Sequence, residues 1–364
     1  MPFGTLYPRD KINLIMKRLL IIDGNAILHR AYHALPPLTN SRGEIVNAVY
    51  GFFSMLLNVL VDQKPDYLVI CFDRPGPNFR QNLFAGYQQH RPKVADDFVP
   101  QIILVHDLLE KMKVVVFELD GYEADDLIGT IANQAIVRGP VSLYPRPTAS
   151  FTTFSPGARR GSPKLATPPM RNKLSENNQP VATNVVILSG DRDMLQLVNK
   201  HVKVLMPLVG ITKTALFGNK EVEDKYGVKT SQFIDYKALI GDASDGYPGV
   251  AGIGPKTASS LLQKYGTFEN LYEHVGELPE KIGLKLATDA EQAALAKKLA
   301  TIVTDAPIQF KIEECVVEKI DVKGVLAGFK EQGFKSLTAR FEKVFGEQEI
   351  EMHEKDKDGQ MGIF

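Results

Sequence analysis

Cysteine is nearly absent. Cys71 and Cys315 are the two in 364 residues, too few for a disulfide framework or a cysteine-rich zinc site. Cys71 lies inside an apolar run and reads as core. Net charge is absent too: 43 basic residues balance 43 acidic ones, so any affinity for nucleic acid has to come from where the charges sit. No apolar run approaches the roughly 18 residues of a membrane span. Residues 1–16 lack the apolar core and cleavage site of a signal peptide. The expectation is a cytoplasmic protein with no membrane partner. At 44% hydrophobic and 24% charged residues, the composition is that of a soluble globular chain with one large or two modest domains.

Acids, by contrast, are concentrated. GYEADDL at 121–127 packs Glu123, Asp125 and Asp126 into four residues, after the β-branched run at 114–117 and at the head of an amphipathic helix carrying Ala124, Leu127, Ile128, Ile131 and Ala135. The free N–H groups and dipole of a helix N-terminus stabilise one or two such acids. Three within one turn repel one another, and a bound cation or protonation relieves the repulsion. The placement recurs along the chain. Apolar strands at 19–22, 67–72 and 185–188 run into Asp23, Asp73 and the pair Asp191 and Asp193, with helical patterns through Tyr32 and over 47–61 between them. Apolar strands alternating with amphipathic helices predict an α/β fold, a mostly parallel sheet flanked by helices.

Ligands of such sheets bind beyond the carboxyl ends of the strands. Each acid there reads singly as a turn or cap residue, but the set does not. Further along, Asp242 and Asp245 in GDASDG share one face if that segment is helical. Carboxylates without His or Cys select Mg²⁺ or Mn²⁺ over zinc. More acids than one ion needs predicts two ions about 4 Å apart, a geometry suited to phosphodiester hydrolysis.

A second informative stretch is GVAGIGPKTASSLLQKY at 249–265. Gly252, Ile253 and Gly254 form a tight hairpin, Pro255 stands where a helix begins, and Lys256 and Thr257 follow. Exposed N–H groups at such a helix start suit a phosphate. The pattern resembles the helix-hairpin-helix element that grips a DNA backbone without reading sequence; an ordinary Gly-Pro turn between two core helices is the alternative.

Six ordered stretches, IDGNAILHRAYHAL, FRQNLFAGYQQHRP, GYEADDLIGTIA, LSGDRDMLQLV, FIDYKALIGDASDGYPGVAGIGPKTA and KLATIVTDAPI, together resemble the 5′-nuclease domain at the N-terminus of bacterial DNA polymerase I. The resemblance covers about residues 17–345 apart from one insert. It implies a PIN-like nuclease core with an all-α helix-hairpin-helix domain, and a two-metal 5′-to-3′ exonuclease and flap endonuclease of replication and repair. The implied substrates are 5′ flaps, nicked duplexes and RNA primer ends. With no room for a polymerase, the chain is expected to be a free-standing monomer. By motif, Asp23, Asp73, Glu123 and Asp125 are expected to hold the first Mg²⁺, and Asp191, Asp193 and Asp242 the second, with Asp126 and Asp245 in support. Asp125, Asp193 and Arg80 are the expected catalytic residues, and a K⁺ ion is expected at the hairpin.

Between Asp73 and Phe98 the family has an arch through which a free 5′ strand passes, and Arg80, Tyr87, Arg91 and Lys93 supply the charges and ring such a path wants. Two departures stand out. Gln88 occupies the position where relatives usually have a lysine, and His29 one where they commonly have a stacking tyrosine. The expected organisation is an extension at 1–16 with Met16 as an alternative start, a core at 17–138 and 184–240, a helix-hairpin-helix domain at 241–346 and a tail at 347–364. The insert at 139–183 is rich in Pro, Ser, Thr and Arg and carries six basic residues and no acid from Arg146 to Lys173. Disorder on the edge opposite the acids is expected for it. The ending Gln360, Met361, Gly362, Ile363 and Phe364 resembles the short peptide by which bacterial repair enzymes hook onto the sliding clamp. Two competing readings are a DNA-binding protein with a weakened active site, which Gln88 favours, and an aspartyl-phosphate phosphatase, which would want an acid where Asn25 stands.

Overall fold

The computed structural model describes residues 17–90, 95–137 and 183–346. The chain begins with β1 (Lys17–Asp23), whose four apolar residues from Leu19 to Ile22 are at most 1% exposed. Successive side chains of a strand point to opposite faces, and β1 therefore feeds two cores. Leu19 and Ile21 enter one; Leu20 and Ile22 enter the other.

The second core is built on α1 (Gly24–Ala34) and α2 (Asn47–Gln63). NAVYGFFSMLLNVLVDQ is apolar on nearly all sides because α2 is covered on more than one face, and twelve of its residues are buried. A Cβ at Gly51 would come within 2.7 Å of the Ala31 methyl, so the glycine permits the close approach of α1 and α2. Lys64 ends α2 in the left-handed region at φ 44°, and β2 (Tyr67–Cys71) follows. A five-residue helix α3 (Phe79–Leu83), the longer α4 (Val99–Lys111) and β3 (Val115–Phe117) lead to α5 (Ala124–Val137).

Beyond the insert come β4 (Thr183–Leu188), β5 (Val202–Val209) and β6 (Lys213–Phe217). The sheet order is β3-β2-β1-β4-β5-β6, with β6 alone antiparallel to its neighbour. Four of the parallel strands, β1 to β4, end toward the acids. Thr183 pairs with Lys17 at the other end of the strands, so the described flanks of the insert leave from the edge opposite the acids; residues 138–182 lie outside the described residues, as do 1–16 and 347–364. The β5–β6 hairpin is not evident in HVKVLMPLVG, where Lys203 and Pro207 interrupt the apolar run.

Then follow α6 (Asn219–Tyr226), α7 (Phe233–Ile240), a two-stranded ribbon of β7 (Gly241–Asp242) and β8 (Tyr247–Pro248), and α8 (Pro255–Tyr265), α9 (Phe268–Glu273), α10 (Glu280–Thr288) and α11 (Ala290–Ala300). GDASDG is thus the turn of a ribbon, not a helix: Gly241 sits at φ 73° and Gly246 at φ 75°, backbone that glycine adopts freely and that breaks α7. The last helices, α12 (Val322–Glu331) and α13 (335–346), do not extend the helical domain. Val325, Phe329, Phe334, Leu337 and Phe341 pack with Phe53, Leu56 and Leu108 in the second core. Three phenylalanines on one face need an apolar surface of their own, and the outer side of α2 and α4 provides it.

Candidate metal centre

Parallel strands bring the acids to one edge, and local hydrogen bonds then fix most of them. Asp23 caps α1: its Oδ1 accepts from Ala26 N at 2.9 Å and its Oδ2 from Ser189 Oγ at 2.6 Å. Asp73 Oδ1 accepts from Ala124 N at 2.7 Å, and the Asp73 amide donates to Asn25 Oδ1 at 3.0 Å. Glu123 is held by four side chains. Asn78 Nδ2 and Gln88 Nε2 reach its Oε1 at 2.9 and 3.0 Å, while Arg80 and the Tyr87 hydroxyl reach its Oε2 at 2.8 and 3.1 Å. Asp23, Asp73, Glu123, Asp125, Asp191 and Asp245 line a single cleft of about 410 Å³, together with His29, Arg30 and His33 of α1. Another cleft, of about 450 Å³, lies between residues 42–46 and α4 and contains none of these acids. Size does not single out the site; charge does.

Asp193 and Asp242 form a second group with Asp245, which the cleft shares. Each offers a carboxylate oxygen, and the three oxygens fall within 4.8 Å of one another. Asp193 comes from the turn after β4, and the other two from the β7–β8 ribbon. The buried Oδ1 of Asp193 is paired with Lys237 Nζ, 2.5 Å away. Lys237 Nζ also touches Asp242 Oδ2. Three carboxylate oxygens this close, in a set of oxygen donors only, fit a hard divalent ion. Asp191 belongs to the cleft but not to this trio: its Oδ1 accepts from Asp193 N at 2.8 Å, capping the turn.

The electrostatics follow from burial and crowding. Desolvation pushes Asp23 up to about 7, Glu123 up to about 7 and Asp193 up to about 7, with neighbouring acids adding to the rise. Asp125 is raised by desolvation and then by Asp191 and Asp23. Asp242 is the exception. Desolvation acts on it too, but Lys237 and Ser244 outweigh it and hold the carboxyl below its ordinary value. Where like charges are this close, a divalent cation stabilises the ionised forms.

Several residues stand elsewhere than the sequence predicts. Arg80, expected along a single-strand path, is 2% exposed. Its two terminal nitrogens reach Asp126 at 2.7 and 2.8 Å, and it donates to the carbonyls of Leu299 and Thr301. Asp126, expected in support of a metal, is 0% exposed, and besides Arg80 it accepts from the amides of Glu123 and Val303. The pair ties α5 to the segment after α11. Tyr87 is also buried, stacked on Tyr247 at 6.5 Å. Gln88 reaches the acids directly: at φ 56° its Nε2 bridges Glu123 and Asp245 and its amide donates to the Asp245 carbonyl. Arg91 and Lys93 lie outside the described residues. His29 is exposed on α1 against Phe98, its ring centroid 4.5 Å away. Lys237, Ser189 and Asn78 escape the sequence reading. Lys237 has a signal there, as the lone cation in apolar FIDYKALI five residues before Asp242.

The hairpin is well formed. Gly252 lies at φ 72°, Ile253 N donates to the Val250 carbonyl at 3.0 Å, and α8 starts at Pro255. Helices α10 and α11 brace it: Asp289 accepts from Ala251 N at 2.7 Å, Lys285 Nζ donates to the Gly252 carbonyl at 2.9 Å, and Gln292 donates to the Gly249 carbonyl. Gly252, Gly254 and Lys256 are exposed and Thr257 is partly so.

Residues 18–143 match the family model of the 5′-3′ exonuclease N-terminal resolvase-like domain, and residues 228–323 that of the 5′-3′ exonuclease C-terminal SAM fold. A 5′-3′ exonuclease of Aquifex aeolicus is 31% identical over 330 residues, covering 91% of this chain and 97% of the relative. DNA polymerase I of Bacillus caldotenax is 34% identical over 334 residues, which are 92% of this chain and 33% of the relative. The chain thus spans about a third of the length of the polymerase relatives it matches. Among solved structures, T5 5′-exonuclease with bound zinc aligns at a TM-score of 0.57 and 16% identity, covering 91% of this chain and 99% of that one. A T5 flap endonuclease with DNA and metal ions aligns at 0.55 and 16% identity, covering 91% and 98%. These similarities establish a shared fold.

Proposed function

Since the chain belongs to the 5′-3′ exonuclease family, we propose that it hydrolyses DNA phosphodiesters at 5′ ends and 5′ flaps with two divalent ions, Mg²⁺ by preference and Mn²⁺ as a substitute. The observation that carries this reading is the meeting of Asp193, Asp242 and Asp245 within 4.8 Å, beside a cleft lined by strand-end acids. Asp23, Asp73, Glu123 and Asp125 would hold the first ion and the trio the second, with Asp191 placing Asp193 through its cap. When bound, the ions supply a polarised water and stabilisation of the leaving 3′ oxygen.

The residues of the chain do the rest. Arg80 and Asn78 orient Glu123, and Arg80 with Asp126 locks the start of α5 beneath the cleft. Arg30 and the exposed His29 and His33 form the wall of the cleft away from the acids, where a nucleotide phosphate and base find a cation and a ring. The hairpin at Gly252, Gly254, Lys256 and Thr257 offers N–H groups and one cation to a duplex backbone. A K⁺ ion there would compete with Lys285 for the Gly252 carbonyl. RNA primer ends present the same phosphodiester to the ions and are proposed as substrates on the resemblance of the sequence to the family. The tail residues Gln360, Met361, Ile363 and Phe364 lie outside the described residues. Sliding-clamp binding through them rests on sequence alone, as does a cytoplasmic place beside the chromosome; no described helix is long and apolar enough to cross a membrane.

The test is a 5′-flap duplex incubated with the protein, with and without Mg²⁺. Asp193→Ala is expected to lower Mg²⁺-dependent cleavage by on the order of 10³-fold while the far-ultraviolet spectrum stays unchanged. Cleavage retained by that variant removes Asp193 from the site. One observation favours the weaker-enzyme alternative, the neutral Gln88 among the acids. A protein that binds the flap duplex tightly and cleaves at no Mg²⁺ concentration would establish that alternative.

A further inference from the structure

Lys237 is a buried charge to which the proposed reaction gives no part. It stands in the last turn of α7 among the buried Tyr236, Ala238 and Leu239, and is itself 7% exposed. Its Nζ lies 2.5 Å from Asp193 Oδ1 and touches Asp242 Oδ2. Those are two of the three carboxylates whose oxygens fall within 4.8 Å of one another. The ammonium therefore occupies the neighbourhood that a cation shared by the trio would take. The strand-end acids are held differently. Asp23 accepts from Ser189 Oγ and from the Ala26 amide, donors without net charge, and of the four donors to Glu123 only Arg80 is charged. An acid held by neutral donors keeps its full charge for an ion, whereas one paired with an ammonium does not.

We propose that Lys237 is the resident counter-ion of the trio. It holds Asp193 and Asp242 against their mutual repulsion before a divalent ion arrives, and it weakens the binding of that ion. The second ion then binds less tightly than the first, because Lys237 must release or share two carboxylates, and a phosphate brought by substrate offers the ammonium another anion. This rests on the two-ion reading above. Lys237 is a positioning residue here and touches no reacting atom.

The test is a titration of the full chain with Mn²⁺, free ion being followed by electron paramagnetic resonance. Wild type is expected to show two classes of site. Lys237→Met is expected to tighten the weaker class by about tenfold or more and to leave the tighter class unmoved, as removal of a neighbouring like charge requires. A weaker class unmoved in Lys237→Met overturns the proposal. Asp193→Asn separates the two levels. If it leaves both classes intact, the two-ion reading itself is wrong. If it removes the weaker class while Lys237→Met does not tighten that class, only the counter-ion role falls. Should the methionine variant fail to fold, Lys237→Arg decides instead: the retained charge is expected to keep the weaker class weak, and a tenfold tightening in Lys237→Arg overturns the proposal.

Discussion

The carboxylate edge and the hairpin at Gly252 are both proposed to meet the same phosphodiester chain, yet they are built on opposite lines. At the edge the functional groups are side chains, buried or half-buried except for Asp73, and most are cross-braced: Glu123 alone has four donors. At the hairpin the functional groups are backbone amides and one lysine, exposed, and the bracing comes from behind through Lys285, Asp289 and Gln292. Like charges must be held together against repulsion, and that takes burial and counter-charge. Backbone donors need only a turn of the right shape. The edge should accordingly be fragile toward single substitutions and the hairpin forgiving.

The sharpest break of that contrast is Arg80→Ala. It leaves Asp126, which is 0% exposed, without its bidentate partner, and stranding one member of a buried pair costs about 3–5 kcal/mol. Urea denaturation is expected to show a loss of that size, with the midpoint lowered and the slope unchanged. An equally stable Arg80→Ala protein would mean that the ion pair does not tie α5 to residues 299–303, and would return Arg80 to consideration as a group that meets substrate.

Gln88→Lys probes the edge from the other side. Gln88 Nε2 bridges Glu123 and Asp245, and an ammonium in that place would add a positive charge beside the cleft. Single-turnover flap cleavage is expected to rise by about tenfold or more. An unchanged rate says that another residue already supplies the charge.

A smaller effect separates the edge from the rest of the protein by pH. Asp23, Glu123 and Asp193 sit near 7 in the folded chain against ordinary values of 3.8, 4.5 and 3.8. Between those limits the folded protein binds protons that the unfolded chain has already lost, so stability falls as pH rises from about 4 to about 7. The metal-free protein is expected to melt about 5 °C lower at pH 8 than at pH 5. Saturating Mg²⁺, which binds the ionised acids, is expected to reverse the trend. Asp242 is silent in this range, because its lowered pKa contributes stability that is lost only at acid pH. A metal-free melting temperature that rises from pH 5 to pH 8 would contradict the raised acids.

How much of this was legible beforehand depends on whether a feature is local in the chain. Strand-end acids such as Asp23, Asp73 and Asp193 are visible because an apolar run ending in a carboxylate is a local pattern. Parallel pairing then gathers them without further information. The hairpin is visible for the same reason: Gly252, Gly254 and Pro255 each dictate backbone. What escaped was non-local. Arg80 and Asp126 are 46 residues apart in sequence, and nothing in FRQNL shows that the guanidinium turns inward. Asp242 and Asp245 converge on Asp193 through a ribbon turn, although their spacing suits a helix as well. Phe329, Phe334 and Phe341 read as more of the helical domain until the vacant side of α2 and α4 is seen to receive them.

The mildest prediction concerns the forgiving side. Lys256 is exposed at the head of α8 and makes no bond that holds the hairpin, whose shape is set by Gly252 and by the braces behind it. Lys256→Ala should therefore leave folding and the catalytic acids alone and remove one phosphate contact. Binding of a nicked duplex is expected to weaken a few-fold at moderate salt, with the slope of log affinity against log salt shallower by about 0.9. Cleavage at saturating DNA should be unchanged, since the chemical groups lie on the other region. If the salt slope does not move, Lys256 meets no phosphate and the hairpin grips through its amides alone. If cleavage at saturating DNA falls with binding, the hairpin also sets the register in which the scissile phosphate reaches the acids, and the two regions are not separable.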